Sequence, residues 1–139
     1  MTTPRSIRER SVFVDTSAFY ALLDRRDRWS KEAQRQFTVL MEERRPLVTS
    51  NLVVAEMYTL ARAALGHTVA TRWLESLDIN LVFQTESDHE RVCGLLAQFE
   101  DKDFSYADAL SFVLMERLGV RTALAFDAHF RQYGVEVLS

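Results

Sequence analysis

Four acidic residues stand where the chain can bring their carboxylates together. Asp15 and Asp127 each follow an apolar run with the pattern of a short buried strand. Asp108 falls in the first turn of a predicted helix, and Glu56 falls inside another, with no lysine or arginine within one turn. Four carboxylates in one pocket repel one another unless a divalent cation neutralises them. Because oxygen ligands suit Mg²⁺ or Mn²⁺, the pattern predicts metal-dependent hydrolysis of a phosphodiester.

Each of these carboxylates also has a structural explanation. Asp15 and Asp127 both precede helical stretches, where aspartate is a favoured N-cap. Asp108 follows Ser105 at the spacing of a capping box and suits the positive end of the helix dipole. Glu56 lies too far into its helix for an N-cap, so either its helix face opens to solvent or a positive partner meets it. The joint pattern is more specific than any of the four positions alone.

Alternating strand and helix patterns predict the framework that positions these side chains. The predicted strands are Ser11–Val14, Leu47–Ser50, Asn80–Gln84, Thr122–Phe126 and Val135–Val137. The predicted helices begin with one that starts at Ala18 and continue with Ser30–Glu43, Leu52–Leu65 (N-cap Asn51), Thr68–Leu77, Ser87–Phe99, Ser105–Leu118 and Ala128–Gln132. This alternation predicts an α/β fold with a parallel central sheet of about four to five strands and helices on both faces. Ligands of such sheets bind beyond the carboxyl ends of the strands, where Asp15 and Asp127 lie.

The composition predicts one domain over residues 1–139, with a polar N-terminal segment at residues 1–10. Cys93 is the single cysteine, which excludes an internal disulfide and a cysteine zinc cluster and favours a reducing compartment. No apolar run approaches the length of a membrane span, and the N-terminal segment lacks a signal-peptide core. The scattered glycines exclude a phosphate-binding P-loop and a dinucleotide fingerprint.

The net charge of −3 argues against a large surface that coats nucleic acid. Any contact with a nucleic acid must therefore be local. Arg25, Arg26 and Arg28 cluster beyond the first helix and are candidates to guide a nucleic-acid backbone towards the acidic pocket. Asp24 and Asp27 alternate with these arginines, so a solvated surface loop is the alternative interpretation.

The acidic residues lie in four short segments, Val12–Phe19, Ser50–Glu56, Asp103–Ala109 and Phe126–Phe130. The order and spacing of the segments resemble PIN-domain ribonucleases, in particular the VapC-type toxins of toxin–antitoxin pairs. The resemblance covers essentially the whole chain. Any one segment is a weak signal, but all four occur in order and no acidic position of the family's quartet is missing.

The resemblance implies a single PIN-like domain that cuts RNA with Mg²⁺ or Mn²⁺. It implies that Asp15, Glu56, Asp108 and Asp127 are the catalytic residues, with Asp15 and Asp108 as the main metal ligands. It also places small hydroxyl side chains around the site, at Thr16, Ser17 and Ser105. A cytoplasmic location, a cognate antitoxin protein that inserts a basic group into the acidic pocket, and a homodimer are further implications.

Alternative functions follow from the same residues. A free-standing PIN nuclease without an antitoxin, or a PIN-like module that binds RNA or protein without cutting, shares the fold. A phosphoacceptor receiver domain needs a lysine after a late strand, and neither Lys31 nor Lys102 is there. A phosphatase of the haloacid-dehalogenase type needs a second aspartate where Ser17 stands. The RNA target, whether tRNA, rRNA or mRNA, is not predicted by these motifs.

Structural roles are predicted for two further kinds of residue. Trp29 and Trp73 can stack on bases, but a tryptophan beside a helix cap more often packs as a staple or core anchor. His129, two residues beyond Asp127, is predicted to be exposed or packed rather than catalytic.

Overall fold

A single parallel sheet organises residues 9–138, the part of the chain that the computed structural model describes. Its strands are β1 (Val12–Val14), β2 (Leu47–Ser50), β3 (Asn80–Val82), β4 (Thr122–Leu124) and β5 (Glu136–Leu138). Their order is β3-β2-β1-β4-β5, and each neighbouring pair is parallel. The predicted α/β fold with a parallel sheet is therefore confirmed. Residues 1–8 and 139 lie outside the described residues, and with them most of the polar segment predicted at 1–10.

Helices follow each of the first four strands. They are α1 (Thr16–Leu23), α2 (Ser30–Glu42), α3 (Asn51–Leu65), α4 (His67–Ser76), α5 (Glu86–Gln98), α6 (Tyr106–Leu118) and α7 (His129–Tyr133). Every residue of β1 and of β4 is buried, whichever face of the sheet its side chain points to. Successive strand residues point to opposite faces, so both faces of the central sheet are covered.

The strand order places a topological switch between β1 and β4. From the central strand β1 the chain moves outward to β2 and β3, and it then returns to the other side of β1 as β4 and β5. Crevices at such switch points, beyond the carboxyl ends of the strands, are where ligands of parallel sheets bind. Asp15 directly follows β1 here, and its backbone N–H donates to the Leu124 carbonyl at 3.1 Å.

Some predicted element boundaries are wrong by one or two residues, and hydrogen bonds explain two of these differences. The N-cap of α3 is Ser50 rather than Asn51, because the Ser50 hydroxyl accepts from the Val53 N–H at 3.1 Å. Strand β4 ends at Leu124 rather than Phe126, and the Phe126 N–H donates to the Ser17 hydroxyl at 2.9 Å. That last hydrogen bond joins the end of β4 to the start of α1.

The core lies between the sheet and helix α6, which is apolar on nearly every side. Residues 110–115 of this helix are all buried. The Phe112 ring meets Phe130 edge-on at 5.0 Å between centroids, and Phe130 in turn contacts Phe13 of β1 at 6.4 Å. These contacts anchor the start of α6 and α7 against β1, which fixes the backbone around the acidic residues. Over residues 9–138, no helix is both long and apolar enough to cross a membrane.

Candidate active site

A cleft of about 500 Å³ opens at the carboxyl ends of β1 and β4. Five carboxylates line it, the four predicted from the sequence and one from the loop after α1; they are Asp15, Asp27, Glu56, Asp108 and Asp127. The topology thus brings side chains from two strand ends, two helices and a loop to one place. Like charges this close favour protonation of one of them or the binding of a cation.

Asp15 is at once a helix cap and the most buried acid of the cleft. It is only 5% exposed, and as the N-cap of α1 it accepts from the Ser17 N–H at 3.2 Å and the Ser17 hydroxyl at 2.7 Å. Burial first, and then the charge of Asp127, raise the pKa of Asp15 from 3.8 to about 8, against the opposing effect of the Ser17 hydrogen bonds. The metal-free site therefore retains a proton on Asp15 at neutral pH.

Asp108 likewise combines a structural and a site position. Its N–H donates to the Ser105 hydroxyl at 3.0 Å, and the Ser105 N–H donates back to Asp108 Oδ2 at 3.0 Å, which completes the predicted capping box. The same Oδ2 lies 2.6 Å from Nδ1 of His129, a side chain 29% exposed. The capping box and the imidazole together hold this carboxylate in one orientation.

Glu56 and Asp127 complete the acidic lining from more open positions. Glu56 is exposed on α3 and lines the cleft. Of the two possibilities predicted for it, a solvent-exposed helix face or a positive partner, the structure shows the exposed helix face. Asp127 Oδ1 accepts from the His129 N–H at 3.1 Å, so this carboxylate does stabilise the start of α7, although the N-cap position itself is Ala128.

The donor set of the cleft fits a hydrated divalent cation. Ligand-capable atoms of Asp108, Asp127 and His129 lie within 4.8 Å of one another. Asp15 adjoins this group, since Asp127 acts on it both as a charge and as a hydrogen-bond partner. Among the described residues, the buried Thr16 Oγ1 has no hydrogen-bond partner, as expected of a group that faces a water or an ion. The group of ligand-capable atoms is thus Asp108, Asp127 and His129, whereas the predicted ligand pair is Asp15 and Asp108. Metal binding by that pair stays a prediction.

Not all of the other predicted site residues reach the cleft. Thr16 and Ser17 line it, whereas Ser105 lies in an adjoining groove between α3 and the start of α6. Of the three arginines, Arg28 lines the acidic cleft. Arg26 approaches Asp24 at 3.7 Å between Nε and Oδ1, and Arg25 lines a separate depression on the surface with Lys31. Of the three arginines, Arg28 is therefore the one placed at the acidic cleft, and the RNA-guiding role of all three stays a prediction.

The sequence did not predict the positions of His129 and Trp29 at the site. His129 contacts the carboxylate of Asp108, which its spacing of two residues from Asp127 alone does not indicate. Trp29 packs on Phe126 yet remains 38% exposed at the edge of the cleft, so it is not a core anchor. Trp73, by contrast, meets Phe19 edge-on at 5.5 Å and does pack against the core, as predicted.

Comparisons with known proteins agree with this geometry. The family model described as the PIN domain matches residues 12–136. The proteins named 23S rRNA-specific endonuclease VapC20, from two strains of Mycobacterium tuberculosis, are 33% identical over 131 residues, which covers 91% of this chain and 97% of theirs. A crystal structure of Mycobacterium tuberculosis VapC20, described as a toxin that cleaves the sarcin–ricin loop, superposes with a TM-score of 0.80 at 30% identity. That match covers 89% of this chain and 95% of the other.

Proposed function

The chain belongs to the PIN domain family and is an endoribonuclease of the VapC toxin type, and we propose that it hydrolyses ribosomal RNA at the acidic cleft with a divalent metal ion. The observation that carries the proposal is the convergence of Asp15, Glu56, Asp108 and Asp127 on one cleft. The ribosomal target is supported by relatives that are named for 23S rRNA and by a neighbour described as cleaving the sarcin–ricin loop.

In the proposed mechanism, Asp15 and Asp108 would hold the ion, and Glu56 and Asp127 would complete the ring of carboxylates around it. A bound Mg²⁺ or Mn²⁺ would supply Lewis-acid activation of a water and neutralise charge on the scissile phosphate. Until an ion is bound, Asp15 holds a proton, and the other carboxylates of the cleft repel the RNA backbone. Metal binding and RNA binding are therefore coupled in this proposal.

Neighbouring side chains hold the two proposed ligands in place. Two hydrogen bonds from Ser17 fix Asp15, and the Ser17 hydroxyl also accepts from the Phe126 N–H at 2.9 Å. His129 Nδ1 lies 2.6 Å from the Asp108 carboxylate. Outer partners of this kind orient metal-binding carboxylates and strengthen the site. Catalysis then needs little rearrangement when the substrate arrives.

We propose a cognate antitoxin protein as the partner of this chain, a homodimer as its assembly, and the cytoplasm as its location. An antitoxin with an arginine aimed at the cleft would satisfy the crowded carboxylates in place of the metal, because a guanidinium forms strong charged hydrogen bonds with them. Expression of the chain alone should then be toxic to its host cell, and Asp108→Asn should relieve the toxicity. Harmless expression of an active wild-type protein would instead favour a nuclease without an antitoxin.

The cleavage test uses an RNA hairpin with the sarcin–ricin loop sequence, incubated with Mg²⁺, with Mn²⁺ or with EDTA. Wild type should cut in either metal and stop in EDTA, and Asp15→Asn and Asp108→Asn should each lose activity by orders of magnitude. Asp78→Asn is the matched control, because Asp78 is an exposed aspartate outside the cleft. Cleavage by Asp15→Asn at the wild-type rate would overturn the assignment. Binding of the hairpin without any cleavage would favour the non-catalytic module.

A further inference from the structure

A stacked pair of aromatic rings forms one wall of the acidic cleft. The Trp29 ring lies nearly parallel to Phe126, with an interplanar angle of 8° and 5.5 Å between centroids. The guanidinium carbon of Arg28 lies 4.8 Å from the centre of the Trp29 ring. Trp29 and Phe126, together with Asp127, also line a second cleft of about 460 Å³. The two rings therefore stand where two adjoining clefts meet.

Hydrogen bonds connect this pair to the proposed metal site. The Phe126 N–H donates to the Ser17 hydroxyl at 2.9 Å, and that hydroxyl donates to Asp15 at 2.7 Å. The backbone N–H of Trp29 donates to Asp27 Oδ1 at 2.8 Å, and Asp27 also lines the acidic cleft. The bonds from Phe126 and Trp29 each join the backbone N–H of an aromatic residue to a side chain of the cleft, which fixes the backbone at Trp29 and Phe126 relative to the carboxylates.

The exposure of Trp29 points to a ligand rather than to the core. Trp29 is 38% exposed, although a tryptophan buries a large apolar area when it packs. Trp73, the other tryptophan, is partly buried and packs against the hydrophobic core. A tryptophan that keeps part of its ring exposed beside a cleft that binds a nucleic acid is suited to stack on a base, since every base has a flat π-face.

Arg28 gives the same place the charge that an RNA strand requires. Of the described residues that line the acidic cleft, Arg28 is the only arginine or lysine, against five carboxylates. A guanidinium beside an indole can stack on a base or bind the adjoining phosphate. Within the acidic cleft, the attraction for RNA outside the proposed metal site is therefore concentrated at Arg28 and Trp29, while Arg131 lines the adjoining cleft.

We propose that one nucleobase beside the scissile phosphate stacks on Trp29, with Phe126 supporting the indole. The base displaces the Arg28 guanidinium from over the ring, and Arg28 then contacts the same nucleotide. The inference rests on the proposed function, because it takes RNA as the substrate of the acidic cleft. It adds the requirement that a base next to the cut be unstacked from its neighbours. The stacked pair of Trp29 and Phe126 then determines which phosphate of an RNA loop reaches the carboxylates.

Fluorescence can detect the stack directly, since Trp29 and Trp73 are the two tryptophans of the chain. In a Trp73→Phe protein the emission reports Trp29 alone. Titration with the sarcin–ricin hairpin in Ca²⁺, used as an ion that does not support cleavage, should quench this emission. The proposal would be overturned if an independent method shows that the hairpin binds while the Trp29 emission stays unchanged.

Abasic substitution identifies the stacked nucleotide. A set of hairpins, each with one loop base removed, is measured for binding in Ca²⁺ to wild type and to Trp29→Ala. One abasic position should weaken wild-type binding about five- to a hundredfold, the range for one base–aromatic stack, and should have no further effect on Trp29→Ala. Equal losses in both proteins at every position would show that Trp29 stacks on no base. Trp29→Phe, which keeps an aromatic ring, should recover most of the affinity.

Phe83→Ala is the matched control, because Phe83 is a 63% exposed aromatic outside both clefts. Its affinity should equal that of wild type. Thermal melts of Trp29→Ala and Trp29→Phe verify that the variants fold. If wild type neither binds nor cuts the hairpin, the proposed function fails. If wild type cuts and Trp29→Ala binds and cuts equally well, the stacking inference alone fails.

Discussion

Replacing Asp15 with asparagine should stabilise the metal-free protein, and the gain should increase with pH. The Asp15 carboxyl is buried beside Asp127, and the pKa of Asp15 is raised from 3.8 to about 8. Asparagine keeps the shape and an oxygen that can accept the two hydrogen bonds from Ser17, but it carries no charge. The variant therefore removes an unfavourable ionisation while keeping the helix cap.

Proton linkage gives the sign and the magnitude. Between pH 3.8 and about 8, the folded protein holds a proton on Asp15 that the unfolded chain has released. The Asp15 contribution to the free energy of unfolding is therefore lost as pH rises through this window, by about 1.4 kcal/mol per pH unit in its middle. The Asp15→Asn variant has no carboxyl to ionise at this position, so its free energy of unfolding does not fall for this reason. The difference in unfolding free energy, variant minus wild type, should thus grow by about 1.4 kcal/mol per unit between roughly pH 5 and 7.

Urea unfolding in EDTA at pH 5, 6 and 7, followed by circular dichroism, measures this difference. Asp78→Asn provides the control, since Asp78 is exposed and outside the cleft, and its difference from wild type should stay constant over the same range. A constant difference for Asp15→Asn as well would refute the reasoning, because it would mean that Asp15 ionises in the folded state as it does in the unfolded chain. Saturating Mg²⁺ should reverse the order, by stabilising wild type more than the variant.

Three further substitutions test two side chains near the proposed metal site and one ion pair outside the acidic cleft. His129→Asn should leave the fold intact and lower metal affinity and cleavage about ten- to a hundredfold, because it removes the partner of the Asp108 carboxylate; calorimetry with Mn²⁺ measures the affinity. Thr16→Val should change the melting temperature of the metal-free protein little and yet reduce cleavage, because it removes a buried hydroxyl that has no partner among the described residues. Asp88→Asn should cost about 2 kcal/mol of unfolding free energy in urea, with cleavage per folded molecule unchanged, since it breaks a two-pronged ion pair with Arg117 at 2.9 Å that is far from the acidic cleft.

The sequence predicted the elements best where local signals determine them. The apolar run of β2 was predicted with its observed ends, Leu47–Ser50. The N-cap of α6 was also predicted correctly at Ser105, because Ser105 and Asp108 have the capping-box spacing and need no distant partner; the helix itself starts one residue later, at Tyr106. The convergence of the acidic residues followed from a rule of topology, since the carboxyl ends of neighbouring parallel strands meet at one edge of the sheet.

Contacts between distant segments were beyond reach of the sequence. The stack of Trp29 on Phe126 joins the loop after α1 to the residue after β4, and no local pattern indicates which ring a tryptophan meets. The end of β4 depended in the same way on a hydrogen bond from Phe126 to Ser17, more than a hundred residues earlier in the chain. The orientation of His129 towards Asp108 required the packing of α7 against α6.

The structural and chemical interpretations of the acidic residues are not alternatives in this fold. Asp15 caps α1, Asp108 belongs to a capping box, and Asp127 accepts a hydrogen bond at the start of α7, yet all three line the same cleft. A cap fixes a carboxylate against a helix end with an accuracy that a free side chain lacks, which is what a metal site requires. The same fixing prevents the buried carboxylates from moving apart when no ion is present. Burial first, and then the charge of Asp127, from which the fixed Asp15 cannot move away, therefore raise the pKa of Asp15, and the carboxyl relieves both penalties by holding a proton.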